Sequence, residues 1–383
     1  MSPRDRLAVA VALAALPVRV TLALTAALSP DEAYYAGAAR LGIPIPDHPP
    51  AVVLAARCAW AMPDALPLEL RMRAAPLVLG TIVSLLLVEI SRRNHGSPAA
   101  QRWTAILGSW LLLPLAGGFL ATPDVMVFLA TLVLIDQESK TRAGAAGEVA
   151  VFAATFLGML TKVIMAPVAL AVALTSRRSL LHRLLPIAAI LASLPWTSES
   201  LGFQLRHAFT ASPVAPVGPI PALAAAIGAQ VLLWTPTVPF LAAKGLRSLP
   251  LPCAAASGTL LALFLLSAVV RGTPPEPNWI APAFAPLLPA VAAALAASSR
   301  AVRVTTLATG PVVALLAASH GVHPWLPIPT HLDPSARLRR PVPSSAPGTG
   351  AYAAPALRCI TTGDCEQLRV YIESFRRDTE SAQ

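Results

Sequence analysis

The stretch LSPDEAYYAGAARLGIPIPDHPP (residues 28–50) carries Asp31, Glu32, Asp47 and His48 in a chain where charged residues make up only 13%. It also holds adjacent tyrosines, Tyr34 and Tyr35, and closes on a double proline. Polar groups at this density, directly after a long apolar run, mark a functional site in a bilayer protein, because each ionisable group near hydrocarbon is costly. The local pattern Ser29-Pro30-Asp31-Glu32 reads as a helix start, with proline in the first turn and acids at the positive end of the dipole. The same acids fit a carboxylate facing a polar cavity, as general base or metal ligand. The two readings are compatible, since a cap fixes the acid in place.

Outward from this stretch the chain is apolar. Hydrophobic residues are 55% of 383 and aromatics 5%, which a large soluble domain with a polar surface to cover does not show. Apolar runs near the roughly 20-residue length of a span recur at about 7–28, 74–91, 103–121, 124–137, 147–160, 162–176, 182–194, 218–237, 250–270, 279–298 and 302–319. They predict an all-α polytopic membrane protein of about eleven transmembrane helices. A transmembrane barrel would show short alternating segments instead. Residues 7–28 read as a retained first helix rather than a cleaved leader.

The net charge is +10, but Lys and Arg fall in small groups between apolar runs. That is the distribution of topology signals, not of a nucleic-acid surface. With a cytoplasmic N-terminus, fourteen basic residues fall in inner loops and seven in outer ones. Acids, histidines and tryptophans collect on the outer side, in the first external loop (29–73) and the segments at 121–124, 160–162, 196–209 and 271–279. The expected organisation is a transmembrane domain over 1–319 and an external linker with a small C-terminal module over 320–383. In that module CEQLRVYIESFRRDTE places Leu368, Tyr371, Ile372 and Phe375 on one helical face. Cys359 and Cys365 are close enough in sequence to pair, and both a disulfide and two loose thiols stay open.

Several other groups have two readings. Asp47 and His48, in DHPP, form either a rigid turn or a head-group site. Asp124, after Thr-Pro, is a helix cap or a second acid of the site. Lys162 sits between apolar flanks and either snorkels or meets a phosphate, with Arg206 and His207 of FQLRHAF as further cations.

Five segments in order carry a family resemblance. SPDEAYYAGAARLGIPIPDHPP resembles the first external loop of the polyprenyl-phosphate-dependent membrane glycosyltransferases of the GT-C class, in the bacterial branch related to protein O-mannosyltransferases and lipid A aminoarabinose transferases. TPDVMVFLATLVLI resembles their second acidic site and LGMLTKVIMAPVAL their lysine-bearing span. LGFQLRHAF and EPNWIAPAFAPLLPA resemble later segments in position and order. After DPSARLR, where many relatives continue into a folded external domain, this chain runs into RRPVPSSAPGTG.

The resemblance implies a GT-C-type fold and inverting transfer of a sugar from a polyprenyl-phosphate-linked donor. The acceptor would be a cell-envelope glycan such as lipopolysaccharide or lipid A, a lipid or a protein, reached at the periplasmic face of the bacterial inner membrane. It implies Asp31, Glu32 and Asp124 as catalytic acids, with Tyr35, Asp47, His48, Lys162, Arg206 and His207 binding substrate. Asp31 and Asp124 would also be the ligands of a divalent cation, Mg2+ or Mn2+, if one is used. Nucleic acid is not an expected partner. The rival readings are a transporter or flippase of a lipid-linked sugar and a non-catalytic subunit of an envelope complex.

Overall fold

The computed structural model describes residues 3–140, 144–209, 216–245, 249–328, 333 and 352–381. Among them every regular element is helical. The first apolar run forms α1 (Pro3–Leu13) and α2 (Ala15–Thr25), which together reach spanning length over Arg6–Thr25. Two short helices follow, α3 (Pro30–Leu41) and α4 (Ala51–Trp60), and then the 28-residue α5 (Leu68–His95). Next come α6 (Pro98–Trp110), α7 (Leu112–Gly117), α8 (Asp124–Ser139), α9 (Ala145–Thr161) and α10 (Met165–Thr175). After the 30-residue α11 (Leu180–Phe209), α12 (Pro219–Trp234) and α13 (Thr237–Gly245) meet at a sharp bend. α14 (Leu251–Arg271) leads through a 3-10 segment, Pro277–Leu287, into α15 (Leu288–Ala296). α16 (Arg300–Leu307) and α17 (Val313–Val322) are joined by a π turn around Pro311, and α18 (Ala353–Thr362) and α19 (Glu366–Ser381) complete the order.

The eleven spans expected from hydropathy are not found. Among the described residues five helices are long and apolar enough to cross a membrane: Arg6–Thr25, Leu68–His95, Leu180–Arg206, Leu251–Arg271 and Arg300–Val322. The count becomes six if the pair α12 and α13, bent by 105°, is one span. An apolar run looks the same whether lipid or protein covers it, which is why the count from sequence was too high. The run at 162–176 becomes the 11-residue α10, about 16 Å at 1.5 Å per residue, roughly half of a 30 Å hydrocarbon core. Its Val168 and Ala169 are fully buried among other helices. Leu174, Ile220, Leu232 and Phe240, each more than 70% exposed, form part of the apolar outer surface expected of a multi-pass membrane protein.

Two separate cores position the site. The larger joins α5, α6, α8, α9, α10, α14 and α15 through residues such as Leu87, Leu107, Leu132, Met159, Leu260 and Leu288. The smaller is built by α3, α4, α18 and α19, where Tyr34, Tyr35, Val53, Cys359, Leu368 and Ile372 are buried together. Gly37 is required at the crossing, because a Cβ there would collide with the Leu368 side chain. Gly42 ends α3 in the left-handed region, φ 73°, and turns the chain toward Asp47. A disulfide joins Cys359 to Cys365 across the α18–α19 turn.

The two ends of α8 differ in character. Its N-terminus carries Asp124, while near its C-terminus Asp136 takes Arg93 at 2.5 Å and Lys140 at 3.0 Å, and Glu138 takes His182 at 3.0 Å. Twelve residues of helix separate the two aspartates, about 18 Å along the axis. The basic residues expected in inner loops therefore meet acids at the far end of α8 from Asp124.

Candidate functional site

α3 begins with a complete capping box. The Ser29 hydroxyl accepts from the Glu32 N–H, and the Ser29 N–H donates to Glu32 Oε2 at 2.8 Å. Glu32 is fully buried and is held by an equally buried Arg73 from α5, with Nε to Oε1 at 2.9 Å and Nη2 to Oε2 at 2.7 Å. The rest of the Arg73 guanidinium donates to the carbonyls of Ala23, Ala26 and Ala27, at the end of α2. The Ala121 N–H donates to Glu32 Oε1 at 2.9 Å, so the loop entering α8 hangs from the same carboxylate. Glu32 does not line the cavity described below. It ties the start of α3, which carries Asp31, to the start of α8, which carries Asp124.

A cavity of about 230 Å³ opens between these two helix starts. Asp31, Tyr35, Asp47, His48, Asp124 and Lys162 all line it. Lys162 sits where the chain leaves α9 in an extended conformation, which turns its side chain out of the helical run. Its Nζ lies 2.8 Å from Asp124 Oδ1 and 5.8 Å from the centre of the Trp279 ring. The other oxygen of Asp124 accepts from Asn278 Nδ2 at 3.0 Å. Arg206 is on α11 but is not among the lining residues, and the side chain of His207 lies outside the described residues.

The second half of the cavity is aromatic. Tyr352, just before α18, donates to Asp31 Oδ1 at 2.6 Å. Tyr34 donates to Asp47 Oδ1 at 3.3 Å, and the Tyr35 hydroxyl lies 3.1 Å from His48 Nε2. Gln204 of α11 donates to the Asp47 carbonyl at 2.8 Å. Burial raises the Asp31 carboxyl above its usual range, against the Tyr352 hydrogen bond, which holds it down; Asp124 and Glu32 push it the same way as burial. Burial likewise lifts Asp47 to about 6. It pushes His48 down to about 3, helped by the charge of Lys162, so this imidazole is neutral at neutral pH. The tyrosines are raised, mainly by burial, and stay protonated hydrogen-bond donors.

The expected cation pair does not have the form of a metal site. Both oxygens of Asp124 are engaged by Lys162 and Asn278, and Asp31 Oδ1 is engaged by Tyr352. Among the described residues no three His, Cys, Asp or Glu side chains group as metal ligands.

The sequence reading missed Phe203, Gln204, Glu276, Asn278, Trp279 and Tyr352 as lining residues, and it gave Tyr371 and Phe375 only a packing face. One signal was available. The chain has four tyrosines, and all four line this cavity.

No family model matches the chain, and no curated protein matches it by sequence. Solved structures do match. ArnT from Cupriavidus metallidurans bound to undecaprenyl phosphate gives a TM-score of 0.63 at 17% identity, over 97% of this chain and 73% of that one. Its apo state gives 0.58 at 17%, over 97% and 72%. An apo oligosaccharyltransferase from Archaeoglobus fulgidus gives 0.50 at 13%, over 95% and 59%. Identities this low speak to architecture, and the architecture is that of polytopic GT-C-type glycosyltransferases.

Proposed function

We propose that the protein is a membrane glycosyltransferase that moves a sugar from a polyprenyl-phosphate donor to an envelope acceptor, with inversion at C1. The observation that carries this reading is the meeting of Asp31, Asp124 and Lys162 in one cavity, from three separate stretches of sequence. The bound undecaprenyl phosphate of the ArnT structure supports the donor class.

The chemistry assigns a task to each group. The donor already carries a leaving group at C1, so the protein must place an acceptor oxygen in line behind that carbon. Asp31, with Oδ1 held by Tyr352, offers Oδ2 to the acceptor hydroxyl and takes its proton as the new C1–O bond forms. The C1–O bond to the phosphate breaks, and its electron pair leaves with the polyprenyl phosphate. Lys162 stabilises the charge that grows on that phosphate. Asp124 and Asn278 aim the ammonium at it. Asp31 must be ionised to act, and its raised pKa makes it a stronger base than an ordinary carboxylate.

A smaller apolar crevice shares Tyr35, Thr122 and Pro123 with the cavity and is otherwise lined by residues such as Val52, Met72, Leu79 and Val125. It would take the first units of the lipid chain. Orientation follows from the loop charges and from the disulfide near the cavity, which suits an oxidising compartment. The cavity would face the periplasm, with the N-terminus in the cytoplasm.

The test is transfer from radiolabelled polyprenyl-phosphate sugars to envelope fractions, comparing the intact protein with Asp31→Asn. Loss of transfer in a folded Asp31→Asn protein is expected. A wild-type protein that binds undecaprenyl phosphate but consumes no donor in a broad panel would exclude this reaction.

A further inference from the structure

The C-terminal hairpin forms much of the cavity's aromatic side. Tyr34, Tyr352 and Tyr371 cluster with ring centres 4.7 Å (Tyr34 to Tyr352) and 5.9 Å (Tyr352 to Tyr371) apart. Tyr371 stacks on Phe375 at 5.9 Å and 16°, and Phe375 meets Phe203 of α11 at 5.1 Å. The hairpin is fastened firmly. Arg40 of α3 donates to the carbonyls of Cys359 and Ile360 at 2.9 Å each, the disulfide closes the turn, and Arg376 reaches Glu199 at 3.1 Å. A segment held this tightly against Asp31 is a wall of the site.

Charge in the cavity is lopsided. Four lining carboxylates (Asp31, Asp47, Asp124 and Glu276) face a single lining Lys or Arg, which is Lys162. His48 is neutral. One cation serves one phosphate, and the donor brings that phosphate. A phosphorylated acceptor would add a second anion beside the carboxylates with no lining cation left for it, and like charges repel strongly where water is scarce. A neutral pyranose fits better. Its C–H face can lie on tyrosine rings while its hydroxyls meet carboxylates and tyrosine hydroxyls.

We propose that the C-terminal hairpin builds the acceptor subsite, and that this subsite takes a neutral sugar ring stacked on Tyr371 and Tyr352, in preference to a phosphorylated acceptor. The proposal rests on the glycosyl-transfer reading and narrows its acceptor to a glycan hydroxyl.

Binding tests it without turnover. The full-length protein in nanodiscs is titrated with neutral methyl glycosides and with the corresponding sugar phosphates, read by saturation-transfer NMR, for wild type, Tyr371→Ala and Tyr371→Phe. The expected result is binding of a neutral glycoside that weakens about 10-fold in Tyr371→Ala, a change of about 1.4 kcal/mol, and is kept in Tyr371→Phe. Tighter binding of the phosphates, or neutral binding indifferent to Tyr371→Ala, overturns it. Undecaprenyl-phosphoglucose at a concentration measured to saturate separates the donor's sugar position from the acceptor's. Displacement of the glycoside overturns the assignment, and retention supports it. Undecaprenyl phosphate binding is measured in parallel, and its absence in wild type would count against the transfer reading alone.

Discussion

Arg73 and Glu32 form a two-pronged ion pair from which solvent is fully excluded, and the same carboxylate accepts from the backbone of Ser29 and Ala121. One carboxylate thereby fixes both helix starts that carry the acids of the cavity. Its neighbour Asp31 points the other way, into the cavity. Adjacent residues in the sequence therefore have separate tasks, and substitution should tell them apart.

Glu32→Ala leaves the Arg73 guanidinium buried without its counter-charge, a loss of about 3–5 kcal/mol. The expected outcome is a large fall in melting temperature and in yield of folded protein. Asp31→Asn should leave melting nearly unchanged while transfer is lost. Thermal unfolding of both variants in detergent, followed by intrinsic fluorescence, makes the comparison.

The Tyr352 hydroxyl favours the ionised form of Asp31, whose carboxyl burial has already raised. With Asp31 as base, activity rises with pH as this group loses its proton. Tyr352→Phe removes the donor, so the acid limb of the pH–rate profile should move to higher pH, with about a 10-fold loss of rate below it. A limb that stays in place would mean that Tyr352 only packs.

Asp47 has its folded pKa lifted to about 6, so the folded state binds its proton more tightly than the unfolded chain does. Its contribution to stability is present below the unfolded carboxylate value and is lost as pH rises toward 6. His48, pushed down to about 3, acts with the opposite sign in the acid range, so the wild-type melting curve mixes the two. The variant difference isolates Asp47. Asp47→Asn should raise the melting temperature relative to wild type at pH 7.5 and lose most of that gain at pH 4.5.

Lys162→Met removes the cation paired with Asp124 and leaves Asn278 as that acid's remaining hydrogen-bond donor. Donor affinity should fall by about 10-fold or more, the scale of a lost charge-assisted hydrogen bond. Binding of undecaprenyl phosphate measures it. Asn278→Ala should weaken donor binding less, because the ammonium itself remains.

Cys359 and Cys365 are six positions apart, and closing so short a loop constrains the unfolded chain by about 2 kcal/mol in the chain-entropy account. The Cys359→Ser/Cys365→Ser double variant should expose α18 and α19 to protease sooner. It should also reduce transfer, because Tyr352 and Tyr371 are delivered by that hairpin.

The sequence by itself determined the membrane class, the helical architecture and many of the cavity's polar residues. Those properties live in composition and short motifs: long apolar runs, Ser-Pro-Asp-Glu as a helix start, DHPP as a rigid turn, and Lys162 alone among apolar neighbours. It overcounted the spans, because hydropathy does not distinguish a run covered by lipid from one covered by protein, as α10 illustrates. Tertiary structure alone separated Glu32 from Asp31, since the partner that buries Glu32 lies forty-one residues away on α5. It alone brought Tyr352 to Asp31 across 321 positions. No local pattern encodes that meeting; it follows from the docking of α18 and α19 on α3, where burial of Leu368 and Ile372 and the Arg40 hydrogen bonds fix the hairpin in place.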